Sequence, residues 1–172
     1  MVLGMSLSTF TLVHVQISLI GIVSGLFVVY GFFTRKAFNG WNALFLLTTV
    51  LTSVTGFFFP FHKLLPSHKV GIISLVLLAI ALLARYSFHL AGGWNRTYIV
   101  SAMMALYLNC FVLVVQSFQK APALHALAPT QTESPFLIAQ LIVLAIFIGL
   151  TIGVVKRSRT APASEGIRRQ AA

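Results

Sequence analysis

Four histidines carry the most versatile chemistry in this 172-residue chain. His14, His62, His68 and His125 all map to one side of the apolar runs described below, and a neutral imidazole nitrogen is a common ligand for metals and for haem iron. Their spacing matches no metal motif, and His89 lies at the opposite end of its run and cannot join them. Only His14 falls within a helix near the depth a b-type haem needs. The structural alternative is four amphipathic rings at a membrane–water boundary, each with an apolar body and a wet tip.

A second set is neutral and lies inside the apolar runs: Gln16, Thr48, Thr52, Ser53, Thr55, Asn109, Gln116 and Gln140. In hydrocarbon each wants an internal partner. Thr48, Thr52 and Gly56 recur every four residues, as do Gly21 and Gly25, while Ala102, Ala105, Asn109 and Gln116 share one helical face. Small residues let helices approach closely, and hydroxyls and amides then bond across the seam. The functional alternative is a pocket made by His14, Gln16, Asn109, Gln116 and Gln140 near the aromatic run Phe57 to Phe61, able to hold haem b, a quinone or a metal. Asn109, expected near the bilayer centre, either pins helix packing or lines that cavity.

Much other chemistry is excluded. There is no Asp, and Glu133 and Glu165 lie outside the apolar runs, so neither a Ser-His-Asp set nor an intramembrane carboxylate relay can form. Cys110 is the single cysteine, which rules out an intrachain disulfide and the two-cysteine attachment of a c-type haem. No glycine-rich phosphate loop followed by lysine occurs. Arg85 is the one charge within an apolar run; an anion or gating site is its functional reading, and snorkelling to lipid phosphates its structural one.

The elements that must position these residues are set by solvent. Hydrophobic residues make up 58% of the chain and charged ones 8%, with a mean hydropathy of +0.95. Soluble domains carry about 25% charged residues. Apolar runs over residues 10–33, 41–60, 68–90, 97–118 and 135–155 are each about 20 residues or more, enough to cross a hydrocarbon layer of about 30 Å as helices. The expected fold is therefore all-α, a polytopic membrane protein whose five transmembrane helices form an antiparallel bundle over residues 1–157. A disordered basic cytoplasmic tail follows at 158–172. Nine of the twelve Lys and Arg residues fall on the side of Arg35 and Lys156 and three on the other, which places the N-terminus outside and the C-terminus inside. The net charge of +10 thus reads as membrane topology and not as a nucleic-acid surface. The segment from Lys120 to Ser134 is the one connection long enough for a small outer lid.

Asn42 to Phe61 (NALFLLTTVLTSVTGFFFPF) and Tyr107 to Phe136 (YLNCFVLVVQSFQKAPALHALAPTQTESPF) resemble a family of small uncharacterised bacterial multi-pass inner-membrane proteins. The resemblance covers most of the chain apart from the tail. It implies a helical protein of the bacterial inner membrane and transfers no residue role. Short loops, small-residue seams and the lack of buried acids point to a non-catalytic accessory or scaffold component, with the bilayer and a membrane protein or a second copy as partners. The alternatives are a redox protein holding haem, metal or quinone, and a small-solute permease lined by Asn109, Thr48 and Thr52.

Overall fold

Ser6 opens the first helix: its hydroxyl accepts the N–H of Thr9 at 3.1 Å and satisfies one of the four amides that a helix start leaves bare. From there the computed structural model, which describes residues 2–36, 38–60 and 66–159, is built of helices. They are α1 (Leu7–Thr34), α2 (Asn39–Gly56), α3 (Pro66–Leu82) continued by a π-helical turn (Leu83–Ser87), α4 (Trp94–Lys120), the short α5 (Pro122–Leu127) and α6 (Ser134–Arg159). His62 and residues 160–172, which make up nearly all of the expected tail, lie outside the described residues.

Four of these helices are long and apolar enough to cross a membrane: Leu7–Thr34, His68–Ser87, Trp94–Lys120 and Ser134–Ser158, with mean hydropathies of 2.2, 2.1, 2.1 and 2.7. They carry wide apolar surfaces, Leu141 being 62% exposed, which suits a protein whose surroundings are hydrocarbon. Over the expected second span the helix is α2, 18 residues long, and it stands apart from the four. Two asparagines in its first turn and four threonines and a serine further on dilute its apolar character. Thr48 and Thr55 donate to the carbonyls of Leu44 and Leu51 at 2.7 and 2.6 Å, so these hydroxyls are satisfied within the helix itself.

Packing is mostly sequential, α1 on α2, α2 on α3, α3 on α4 and α4 on α6, and α1 closes on α4. Among the four apolar helices, α4 is the most enclosed and the peripheral α6 the least. Two glycines decide how closely α1 approaches. A Cβ at Gly21 would stand 3.2 Å from the Thr48 hydroxyl oxygen and 3.3 Å from that of Thr49, and one at Gly25 only 2.5 Å from Leu106 Cδ1 and 3.0 Å from Phe45 Cδ2. Around that crossing lies the main core, including Val28, Phe45, Leu46, Tyr98, Met103 and Leu106, with the half-buried Cys110 packed against it. A smaller cluster of Phe118, Ala128 and Phe136 fastens α5 over the end of the bundle.

The third helix ends earlier than its apolar run suggests. The N–H of Phe88 reaches back to the carbonyl of Leu83 at 3.0 Å, a spacing of five residues, and His89, Leu90 and Gly92 then take left-handed conformations that turn the chain. At the other end of the molecule, Glu133 precedes α6 and accepts the N–H groups of Thr130 and Thr132 at 3.1 and 3.0 Å and the Thr130 hydroxyl at 2.9 Å. Slight desolvation pushes its pKa up, but these hydrogen bonds outweigh it and hold the carboxyl below its ordinary value.

The crossing yields a direct test. Gly25→Val forces apart side chains that are already in contact and should lower unfolding stability in detergent by about 1–3 kcal/mol. Gly149→Val, at a position with no atom within 4 Å of the added Cβ, should stay within about 0.5 kcal/mol of the parent. Equal losses in the two variants would mean that the crossing does not govern packing.

Candidate functional site

One turn beyond Gly21 toward the start of α1, small residues give way to Ser18 and then His14, and a cavity of about 90 Å³ opens among four helices. Ser18 and His14 line it from α1, Thr52, Ser53 and Gly56 from α2, His68, Gly71 and Ser74 from α3, and Leu108, Asn109 and Val112 from α4, with Phe57 at the end of α2. Among the described residues no carboxylate, lysine or arginine contributes to the wall. The lining is hydroxyl, amide, imidazole and hydrocarbon.

Hydrogen bonds fix much of this wall. His14 Nδ1 lies 2.8 Å from Thr55 Oγ1, and the Thr55 hydroxyl spends its single proton on the carbonyl of Leu51 at 2.6 Å. Thr55 can therefore only accept from His14, so the neutral ring carries its proton on Nδ1 and presents Nε2 as an acceptor. Phe59 meets the same ring edge-on with centroids 5.1 Å apart. Across the cavity Ser53 donates to Ser74 at 3.1 Å and ties α2 to α3. Asn109 Nδ2 reaches Thr49 Oγ1 at 3.4 Å, joining α4 to α2 just where Gly21 leaves room for both. Thr52 Oγ1 is buried without a hydrogen-bond partner, a polar atom in the wall left to be satisfied by whatever occupies the space.

The residues expected to form a pocket are dispersed. His14 and Asn109 both line the cavity; Asn109 also pins two helices, so both roles open to it from sequence are present. Gln16 is exposed and borders a shallow hollow made by α1 alone with Leu7, Ser8, Thr11, Leu12 and Val15. Gln116 is half-buried on α4 and Gln140 sits on α6, where its Nε2 donates to the carbonyl of Phe111 at 3.2 Å while its Oε1 is buried without a partner; neither lines the cavity. Of the four histidines, His14 and His68 line the same wall, His125 stands exposed on α5, and His62 lies outside the described residues. Among the described residues no three His, Cys, Asp or Glu side chains converge as a metal would require.

Ser18, Ser74 and the fully buried Thr49 were not marked by sequence pattern. Ser74 had a signal, being the one polar residue between Gly71 and Leu83. The cavity is small beside sites for drug-sized ligands, which begin at about 300 Å³. Its volume matches a few waters at about 30 Å³ each, or a solute of that size. Comparison with protein-family models, curated proteins and solved structures finds no match, so the reading of the site rests on its own chemistry.

The tautomer can be read directly. Nitrogen-15 NMR of histidine-labelled protein should show the His14 ring protonated on Nδ1, with the signal assigned by its loss in His14→Gln. Thr55→Val should abolish that preference, because the acceptor is gone. An Nε2-protonated ring in the parent would mean that Thr55 donates to His14 and has released Leu51.

Proposed function

We propose that this chain is a non-catalytic accessory protein of the bacterial inner membrane, with five spans, its N-terminus outside and its C-terminus in the cytoplasm, that holds a small neutral hydrogen-bonding molecule in the outer half of the bundle. The cavity between His14 and Ser74 carries the proposal: four helices wall it, hydrogen-bonding groups line it, and one hydroxyl awaits a partner. An ion of either sign would find no counter-charge in this wall, whereas a neutral donor–acceptor molecule replaces the hydrogen bonds it gives up in water.

Binding suits the geometry better than permeation. Beyond Asn109 the interior is filled by Phe45 and Leu106 and then by Tyr98, each 1% exposed, so the cavity ends at the Gly25 crossing instead of continuing to the other side. The fifth span is α2. Its 18 residues rise about 27 Å at about 1.5 Å each, close to the hydrocarbon thickness, and its polar atoms face α1, α3 and α4. The N-out orientation is supported by the positive charge excess beside Thr34, Ser87 and Trp94.

The lone Cys110 makes a test simple. In a Cys110→Ala background, Ser18→Cys should react with a membrane-impermeant thiosulfonate added outside intact cells, and Ala81→Cys, fully buried in the core, should not. Labelling should be faster in purified, dialysed protein than in native membranes, because an occupant has been removed. Labelling only from the cytoplasmic side would reverse the topology, and no labelling from either side would close the cavity and remove the proposal.

A further inference from the structure

At the end of the bundle opposite the cavity, Arg85 is a fixed cation and not a loose one. The π-helical turn that closes α3 carries it, and its guanidinium donates from Nη2 to Asn39 Oδ1 of α2 at 2.8 Å. The charged carbon stands 5.4 Å from the ring of Tyr98 and 5.8 Å from that of Tyr86, within range of cation–π attraction. Tyr98 is itself buried and donates its hydroxyl proton to Asn42 Oδ1, while Asn42 Nδ2 donates to the carbonyl of Phe38 at 2.8 Å. Phe32 of α1 packs edge-on against the same tyrosine at 5.8 Å. Four helices thus hold one guanidinium in place.

Among the described residues no carboxylate lies at this end to compensate its charge. Among the described residues the only carboxylate is Glu133, which lies at the cavity end of the bundle. Lys36, Arg96 and Lys156, at or beside the matching ends of α1, α4 and α6, add further positive charge at this end of the bundle. Asn39 takes one N–H of this half-buried guanidinium, and a cation held among uncharged groups favours an anion from outside the chain. The surroundings specify which. Trp41, Tyr86 and Trp94 mark the depth of lipid headgroups, and exposed Leu44, Leu47 and Leu83 continue from there as apolar surface. Gly40, Gly92 and Gly93 leave open space where a side chain would stand.

We propose that Arg85, oriented by Asn39 and Tyr98, binds the phosphate of one anionic phospholipid, whose acyl chains run along the apolar surface of α2 and α3. A planar guanidinium offers paired donors to two phosphate oxygens, and a net-anionic headgroup supplies the missing charge. The leaflet concerned follows from the orientation proposed above, but the binding itself does not depend on it or on the cavity.

Native mass spectrometry of the full chain in detergent tests this, with dioleoylphosphatidylglycerol, dioleoylphosphatidylcholine and inorganic phosphate added in separate titrations. The parent should bind one phosphatidylglycerol in preference to phosphatidylcholine. Arg85→Gln should weaken that binding about tenfold, the loss of one charge-assisted pair. Arg85→Lys should restore only part of it, because an ammonium lacks the fork. Arg96→Gln, a rim charge, should change it by less than about threefold. Equal losses in Arg85→Gln and Arg96→Gln would show a diffuse basic rim and overturn the site, and inorganic phosphate displacing the lipid would show a free-anion site instead. Should Arg85→Gln fail to fold, the parent alone decides: phosphatidylglycerol must raise its thermal midpoint and phosphatidylcholine must not.

Discussion

The contact of α1 with α2 and α4 at Gly21 and Gly25 is the constraint on which the rest of the bundle depends. In a membrane there is no hydrophobic force drawing one apolar helix to another, so association relies on close van der Waals fit and on hydrogen bonds that a near approach makes available. The two glycines permit that approach, with Leu106 and Phe45 filling the space beside Gly25 and the Thr48 and Thr49 hydroxyls and the Asn109 amide crowding Gly21. The Asn109–Thr49 bond and the tight core beneath it are both consequences. So is the cavity, which begins where the next turns of α1 carry Ser18 and His14 in place of glycine.

Polar atoms are handled differently at the two ends. Hydroxyls such as Ser24, Thr48, Thr55 and Ser101 return their protons to carbonyls four residues earlier and need no neighbour. Those with a cross-helix partner, Ser53 with Ser74 and His14 with Thr55, gather at the cavity end. Tyr98, Asn42, Asn39 and Arg85 form the second network at the cationic end, where a charge is held by uncharged groups. The two networks are separated by the packed layer around Phe45 and Leu106.

Particular residues show why parts of this were legible in the sequence and parts were not. Runs of apolar residues 20 long are helices in any arrangement, since an amide in hydrocarbon has no other partner, and residues 10–33 accordingly lie within α1 and 135–155 within α6. The periodic small residues of α1 and α2 likewise mark a seam whatever they pack against. Gln16 and Gln140 look equivalent to Asn109 by type and depth, yet Gln16 faces outward from α1 and Gln140 belongs to the seam of α6 with α4. That distinction needs the rotation of each helix about its axis, which a helix that is apolar all round does not encode. The π-helical turn is similar: nothing in LARYS announces it, and it carries the Arg85 that donates to Asn39.

By itself, then, the sequence determined that the chain is helical, that several of its helices are apolar enough for a membrane, and that no acid lies within the apolar runs. These follow from the solvation of backbone amides and charges, which each segment must solve alone. Only the tertiary structure decided that His14 shares a wall with His68, Ser74 and Asn109, that Thr55 sets the His14 tautomer, and that Arg85 has a protein partner. Those depend on which faces of different helices meet, and the close fit at Gly21 and Gly25 is part of what fixes it.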